Sequence, residues 1–111
     1  MPTLNRAACN ILDEIADTFG LSETELADLF NVRRPSLTGW REHGIPQGRQ
    51  ATAERLQDLA RVFRREVILS RIPQIVRTAD DWLEGRTVLE TIRRDGVEPI
   101  YGYLSRLFAY S

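Results

Sequence analysis

The stretch Leu21-Ser22-Glu23-Thr24-Glu25-Leu26-Ala27-Asp28-Leu29-Phe30-Asn31-Val32, continued by Arg33-Arg34-Pro35-Ser36-Leu37-Thr38-Gly39-Trp40-Arg41-Glu42-His43-Gly44, reads as two short helices joined by a tight turn. Ser22 and Glu25 have capping-box spacing: the hydroxyl accepts from the amide three residues on while the carboxylate reaches back, and Leu21 is the preceding hydrophobe. Leu26, Ala27, Leu29 and Phe30 give the first helix an apolar face. Asn31 suits the turn because asparagine tolerates left-handed backbone, and Val32 can fasten that turn to a core. The second helix is predicted over Arg34 to His43. Pro35 is tolerated there because first-turn amides have no intrahelical acceptor. Leu37 and Trp40 share a buried face at i and i+3, and Gly44 and Pro46 end the helix.

A bracing helix, a tight turn and a second helix with an exposed N-terminal half are what reading a major groove requires. Ala27 is small where the two helices cross. On this reading Arg34 and Thr38, one turn apart, face base edges: arginine donates twice to guanine, and threonine meets a base or a thymine methyl. Arg33 and Ser36 lie near the helix start and suit phosphate, helped by backbone amides there. Arg41 is a further phosphate or base candidate, and Gln47 and Arg49 extend the backbone contact from the following loop. The competing structural reading is a helical hairpin in an unrelated helical protein, with these residues merely solvated.

Upstream, Leu4, Ala8, Ile11, Leu12, Ile15 and Phe19 fall at helical spacing with Asp13, Glu14 and Asp17 on the other face, and Gly20 supplies a stop. Downstream, a long basic helix is predicted from Arg49 to Leu69, with Leu56, Leu59, Ala60, Phe63, Val67 and Ile68 as its apolar stripe. Pro73 marks a break, which places a module boundary at Ser70–Arg71. Beyond it, Ile72, Ile75, Val76, Trp82 and Leu83 suggest a packed connector. Thr87 and Glu90 form a second capping box, opening a helix through Leu89 and Ile92 to Gly96. A terminal helix from Glu98 to Phe108 carries Ile100, Leu104, Leu107 and Phe108. The fold class is therefore all-α, with residues 1–69 forming one helical bundle and 70–111 a small C-terminal helical module.

The 111 residues carry a net charge of -1, which is unevenly divided. Residues 1–30 hold one basic and six acidic groups, 31–77 hold ten and four, and 78–111 hold four and six, so the middle alone is +6. A local basic stripe can bind phosphate in a nearly neutral chain because screening weights the nearest charges. Every basic side chain other than the single His43 is arginine. Cys9 has no partner for an intramolecular disulfide, fits a reducing compartment, and reads as a buried small hydrophobe. His43 reads as a helix-end polar residue, and one His with one distant Cys makes no zinc site. No paired acid–base constellation, phosphate-cradling glycine loop or activated nucleophile is found, which argues against an enzyme. No stretch approaches the ~20 apolar residues of a membrane span, so the expectation is a soluble cytoplasmic protein.

Two segments resemble one family. Leu21 to Trp40 is similar to the helix-turn-helix of Xre-type regulators, and Leu83-Glu84-Gly85-Arg86-Thr87-Val88-Leu89-Glu90, with Gly96 and the terminal helix, resembles the toxin-binding module of Xre/MbcA/ParS antitoxins. That resemblance implies an Xre-like DNA-binding domain followed by a toxin-binding domain. It also implies an antitoxin that neutralises a cognate toxin, often a RES-domain protein consuming NAD, and represses the shared operon. The chain itself would need no cofactor. Gly85, Arg86 and Thr87 would form the characteristic turn and helix start, with Leu89 and Ile92 supporting it from inside. Val88 and Ala79 depart from the family, where proline is common at both positions. For toxin contact the candidates are Arg86, Arg106, Phe108 and Tyr110, with the aromatic end either docking into a toxin groove or packing on its own domain. A homodimer reading two operator half-sites is the reasonable assembly, with the long helix and connector as its surface or, alternatively, as internal core. Two other functions fit the same residues: a stand-alone repressor whose last third only oligomerises, and an interaction adaptor that has lost DNA binding.

Overall fold

The computed structural model describes residues 4–109, with side chains through Leu107. Asn5 opens helix α1 (Arg6–Phe19) by accepting the Ala8 amide on its side chain at 2.9 Å. Its own amide donates to the Arg41 carbonyl at 2.7 Å, so α1 starts pinned to a helix far along the chain. Ala8, Leu12, Ile15 and Phe19 are buried as the spacing predicts, whereas Leu4 precedes the cap and is exposed. Cys9 is half-buried rather than buried, its thiol directed to the Arg41 carbonyl. Gly20, at φ 68°, closes the helix while the Leu21 amide reaches back to Ala16.

Helix α2 (Glu23–Leu29) begins at the capping box: the Glu25 amide donates to Ser22 Oγ at 3.1 Å, and the Ser22 amide donates to Glu25 Oε1 at 3.0 Å. Asn31 takes left-handed φ, 57°, and the Val32 amide returns to the Ala27 carbonyl. Helix α3 (Arg34–His43) buries Leu37 and Trp40, and the indole packs edge-on against Phe30 with centroids 5.2 Å apart. Helix α4 runs over Gln47–Glu66 instead of Arg49 to Leu69. Pro46, with φ already near helical values, lets the helix start at once. Val67 turns extended at φ -122°, which stops it early. The stripe is correspondingly shorter than predicted: Ala53, Leu56, Leu59, Ala60 and Phe63 are buried, Val67 is half-buried and Ile68 is exposed. Phe63 meets Phe19 edge-on at 5.3 Å, locking α4 onto α1. Edge-to-face pairs of this kind add ~1 kcal/mol beyond the area they bury.

A 3₁₀ turn at Leu69–Arg71 leads into α5 (Ile72–Ile75), a second 3₁₀ turn at Asp81–Leu83, then α6 (Val88–Asp95) and α7 (Glu98–Ala109). Thr87 and Glu90 form the second capping box, both bonds at 3.0 Å, and Gly96 ends α6 at φ 87°. Of the connector residues, Ile72, Val76 and Leu83 are buried and Ile75 is half-buried. Trp82 instead lies 40 % exposed, stacked on Tyr103. Leu107 is also largely exposed. The molecule is an all-helical bundle in two loosely packed sub-regions, α1–α4 and α5–α7, with extents of 51 × 24 × 21 Å. One apolar cluster runs through both, from Leu12 to Leu104. No helix among the described residues is long and apolar enough to cross a membrane.

The sub-regions meet at Arg77. Its guanidinium donates to the carbonyls of Phe19 (3.0 Å) and Gly20 (2.6 Å) and to both oxygens of Glu25 (3.0 Å each). Pro73 lies against Gly20, where an added Cβ would come within 3.0 Å of the proline ring. Gly20→Ala should therefore lower stability by ~1–2 kcal/mol, from left-handed strain plus this contact. Gly39→Ala, mid-helix with nothing within 4 Å of the new methyl, should raise it by ~0.5–1 kcal/mol. Denaturant titrations giving both the same sign would refute this account. Glu25 adds a pH dependence. The Ser22 amide lowers its pKa most, burial opposes, and Arg77 lowers it further, for a net value below the ordinary 4.5. A carboxyl depressed in the folded state stabilises above its unfolded pKa, and that contribution is lost as pH falls through the depressed value. Glu25→Gln keeps a capping side chain and removes the charge. Its deficit in melting temperature should be present near neutrality and shrink as pH falls from the ordinary 4.5 through the depressed value, and a deficit constant with pH would contradict the assignment.

Candidate nucleic-acid interface

Because Leu37 and Trp40 take the inner face of α3, its outer face is left to Arg34, Pro35 and Thr38, with Arg33 exposed just before it. Thr38 Oγ1 makes only a long contact to the Arg34 carbonyl, 3.5 Å, so the hydroxyl keeps acceptor capacity for an outside donor. The backbone offers less than the sequence suggests. Pro35 has no N–H, and the half-buried Ser36 donates its amide to the Arg33 carbonyl at 3.0 Å. What this helix start offers a negative group is therefore chiefly its arginine side chains.

Arg41, a sequence candidate for DNA contact, is drawn inward instead. Its guanidinium bridges Asp13 of α1 at 2.8 Å and Glu23 of α2 at 2.6 Å, with its side chain 19 % accessible. Burial alone would lower its pKa, but the hydrogen bonds to Glu23 and Asp13 outweigh that and hold it firmly charged. Arg41 thus ties α1, α2 and α3 together. Arg49 is half-buried and donates to the Phe30 carbonyl at 2.8 Å, fixing the start of α4 against the α2–α3 turn, while Gln47 is exposed. His43 is exposed at the end of α3.

The arginines separate into two populations. Arg41, Arg61, Arg77 and Arg86 are ion-paired to Asp13 and Glu23, Glu14, Glu25 and Glu84 respectively. Among the described residues Arg33, Arg34, Arg49, Arg55 and Arg93 have no carboxylate within 4.0 Å. The same holds for Arg6, Arg64, Arg71 and Arg106; Arg33 and Arg34 stand at the start of α3, and Arg49, Arg55 and Arg93 line one concavity beside the α2–α3 turn. Arg55 and Arg93 were not singled out by the sequence. Arg55 looks like any solvated position of a basic helix, and no local pattern relates α6 to α4.

In the C-terminal half, Glu84 and Gly85 adopt positive φ, 60° and 78°. An isolated antiparallel bridge between Asp80 and Arg86 closes the loop they turn. Arg86 is half-buried and paired to Glu84 at 2.8 Å. Ile92 is buried and Leu89 half-buried, both packed on the apolar core. Arg106 is exposed on α7, whereas the Phe108 side chain and Tyr110 lie outside the described residues. Among the described residues no three His, Cys, Asp or Glu side chains are grouped to hold a metal ion.

No protein-family model matches the chain, and comparison with curated proteins and with solved structures likewise returns no match. The two arginine populations are separable by stability alone. Arg41→Ala should cost ~1–2 kcal/mol, since two charge-assisted bonds between helices are lost. Arg34→Ala should stay within ~0.5 kcal/mol of the parent, as a surface change does. Equal melting temperatures for the two variants would remove the distinction.

Proposed function

We propose that this chain is the DNA-binding antitoxin of a type II toxin–antitoxin pair. It represses its own operon through α3 and neutralises its toxin through the α5–α7 half. The observation that carries the DNA-binding part is the exposed face of α3: Arg33, Arg34 and Thr38 point outward without internal ion pairs, and Leu37 and Trp40 anchor the helix from behind. In a major groove Arg34 can give two hydrogen bonds to a guanine edge and Thr38 can meet the neighbouring base, while Arg33 and Gln47 hold flanking phosphates. Arg41 and Ser36 act behind the surface, the first by joining three helices and the second by closing the first turn. A small reader of this size gains area by dimerising on two half-sites. The C-terminal end of α4 and the connector are the natural dimer surface, because Ile68 and Leu69 are exposed there.

The toxin-binding part rests on the resemblance of the Gly85-Arg86-Thr87 turn and its capped helix to Xre/MbcA/ParS antitoxins. Exposed Trp82 and Arg106 suit a protein partner, since tryptophan and arginine are the side chains most often dominant in such contacts. The partner is a RES-domain toxin consuming NAD, so the chemistry and the cofactor belong to the toxin. The antitoxin itself is a cytoplasmic binding protein.

The test joins two measurements on one double variant. Replacing Arg34 and Thr38 by alanine should lower salt-matched affinity for the native upstream duplex by about tenfold or more. The same variant should still copurify with the toxic neighbour and rescue growth when coexpressed with it. Unchanged affinity would reject the assigned role of α3. DNA binding with neither partner nor rescue would replace the antitoxin by a stand-alone repressor, and a retained partner with no DNA binding would leave an adaptor.

A further inference from the structure

A cleft of about 470 Å³ lies where the two sub-regions meet beside the α2–α3 turn. One wall brings Asn31, Arg49 and Arg55, and the other brings Arg93, Asp95 and Glu98. Three guanidinium groups thus line one concave surface, although gathering like charges is unfavourable unless something compensates them. The carboxylates present do so only in part. Asp95 approaches Arg94 at 3.9 Å, and Glu98 sits in the first turn of α7, where the helix end favours a negative charge. Among the described residues neither carboxylate pairs with Arg49, Arg55 or Arg93. Arg49 is also preorganised, because its bond to the Phe30 carbonyl at 2.8 Å holds the guanidinium in place while its other N–H donors stay available.

We infer that this cleft is a second DNA contact, in which Arg49, Arg55 and Arg93 seat a phosphodiester of the duplex beyond the base pairs that α3 addresses. The inference rests on the DNA-binding reading of α3. Proximity along the chain carries it: Asn31, which lines the cleft, stands two residues before Arg33, so the cleft adjoins the segment that opens α3 with Arg33 and Arg34. A guanidinium fork matches phosphate oxygens in two parallel bonds. Arg93 belongs to α6, so the C-terminal half touches DNA directly, and a protein held by that half shares a helix with the phosphate seat. Toxin binding then bears on operator affinity through α6.

The experiment is fluorescence anisotropy of the full chain with the upstream duplex and with a duplex of unrelated sequence, each across a salt series. Arg55→Gln and Arg93→Gln should each weaken both duplexes by the same factor, about five- to tenfold near 0.1 M salt, and flatten the slope of log affinity against log salt by about 0.9. Glu98→Gln should act in the opposite direction and tighten both duplexes, which damage to the fold would not do. If the three cleft variants leave affinity and slope unchanged while the Arg34, Thr38 double variant loses binding, the cleft is overturned and the α3 reading stands. If Arg93→Gln flattens the slope while the double variant is silent, the cleft is upheld and α3 loses its role. A parent chain that binds no duplex at all overturns both.

Discussion

The Arg77 guanidinium closes three backbone ends at once. Carbonyls at the end of a helix have no intrahelical partner, and those of Phe19 and Gly20 receive theirs from this side chain. The same planar group reaches Glu25, whose carboxylate is already the cap of α2, and the carbonyl of Pro73 in α5. The entry angle of α2 is set there, and through the α2–α3 turn so is the direction in which α3 presents Arg34 and Thr38. A lysine could not take its place, because a compact ammonium lacks the flat fork that serves three carbonyls and a carboxylate together.

Electrostatics divide the molecule by task more than by sequence position. The near-zero total charge conceals a middle segment of +6, and even that figure overstates what faces outward. Arg41 and Arg61 bind α1 to its neighbours through Asp13 and Glu14, neutralising acids that the first helix would otherwise present alone. The arginines left unpaired include Arg33 and Arg34 at the start of α3 and Arg49, Arg55 and Arg93 around one cleft. A surface of this kind attracts polyanions at short range while leaving the chain little long-range field, since salt screens beyond ~10 Å.

Local chemistry was legible in the sequence and long-range chemistry was not. Both capping boxes, the left-handed Asn31, the inward pair Leu37 and Trp40 and the glycine stops each depend on residues within a few positions of one another, and each stands where the pattern put it. The limits of α4 shifted because Pro46 and Val67 act through backbone dihedrals that hydrophobic spacing does not encode. Arg41 looked like a DNA contact because its partners lie 28 and 18 residues away, in helices whose approach no periodicity reveals. Trp82 looked like core for the converse reason: an apolar side chain in a connector gives no sign that it will stack outside, over Tyr103 and Gly102.

The two tryptophans give each half of the protein its own optical signature. Trp40 is 8 % exposed in an apolar site against Phe30, whereas Trp82 is 40 % exposed and lies over a tyrosine ring. Their emission should differ in wavelength and in accessibility to an aqueous quencher, the first reporting on the α2–α3 unit and the second on the α5–α7 half. The chain therefore carries, without any added label, a separate reporter for each function assigned to it.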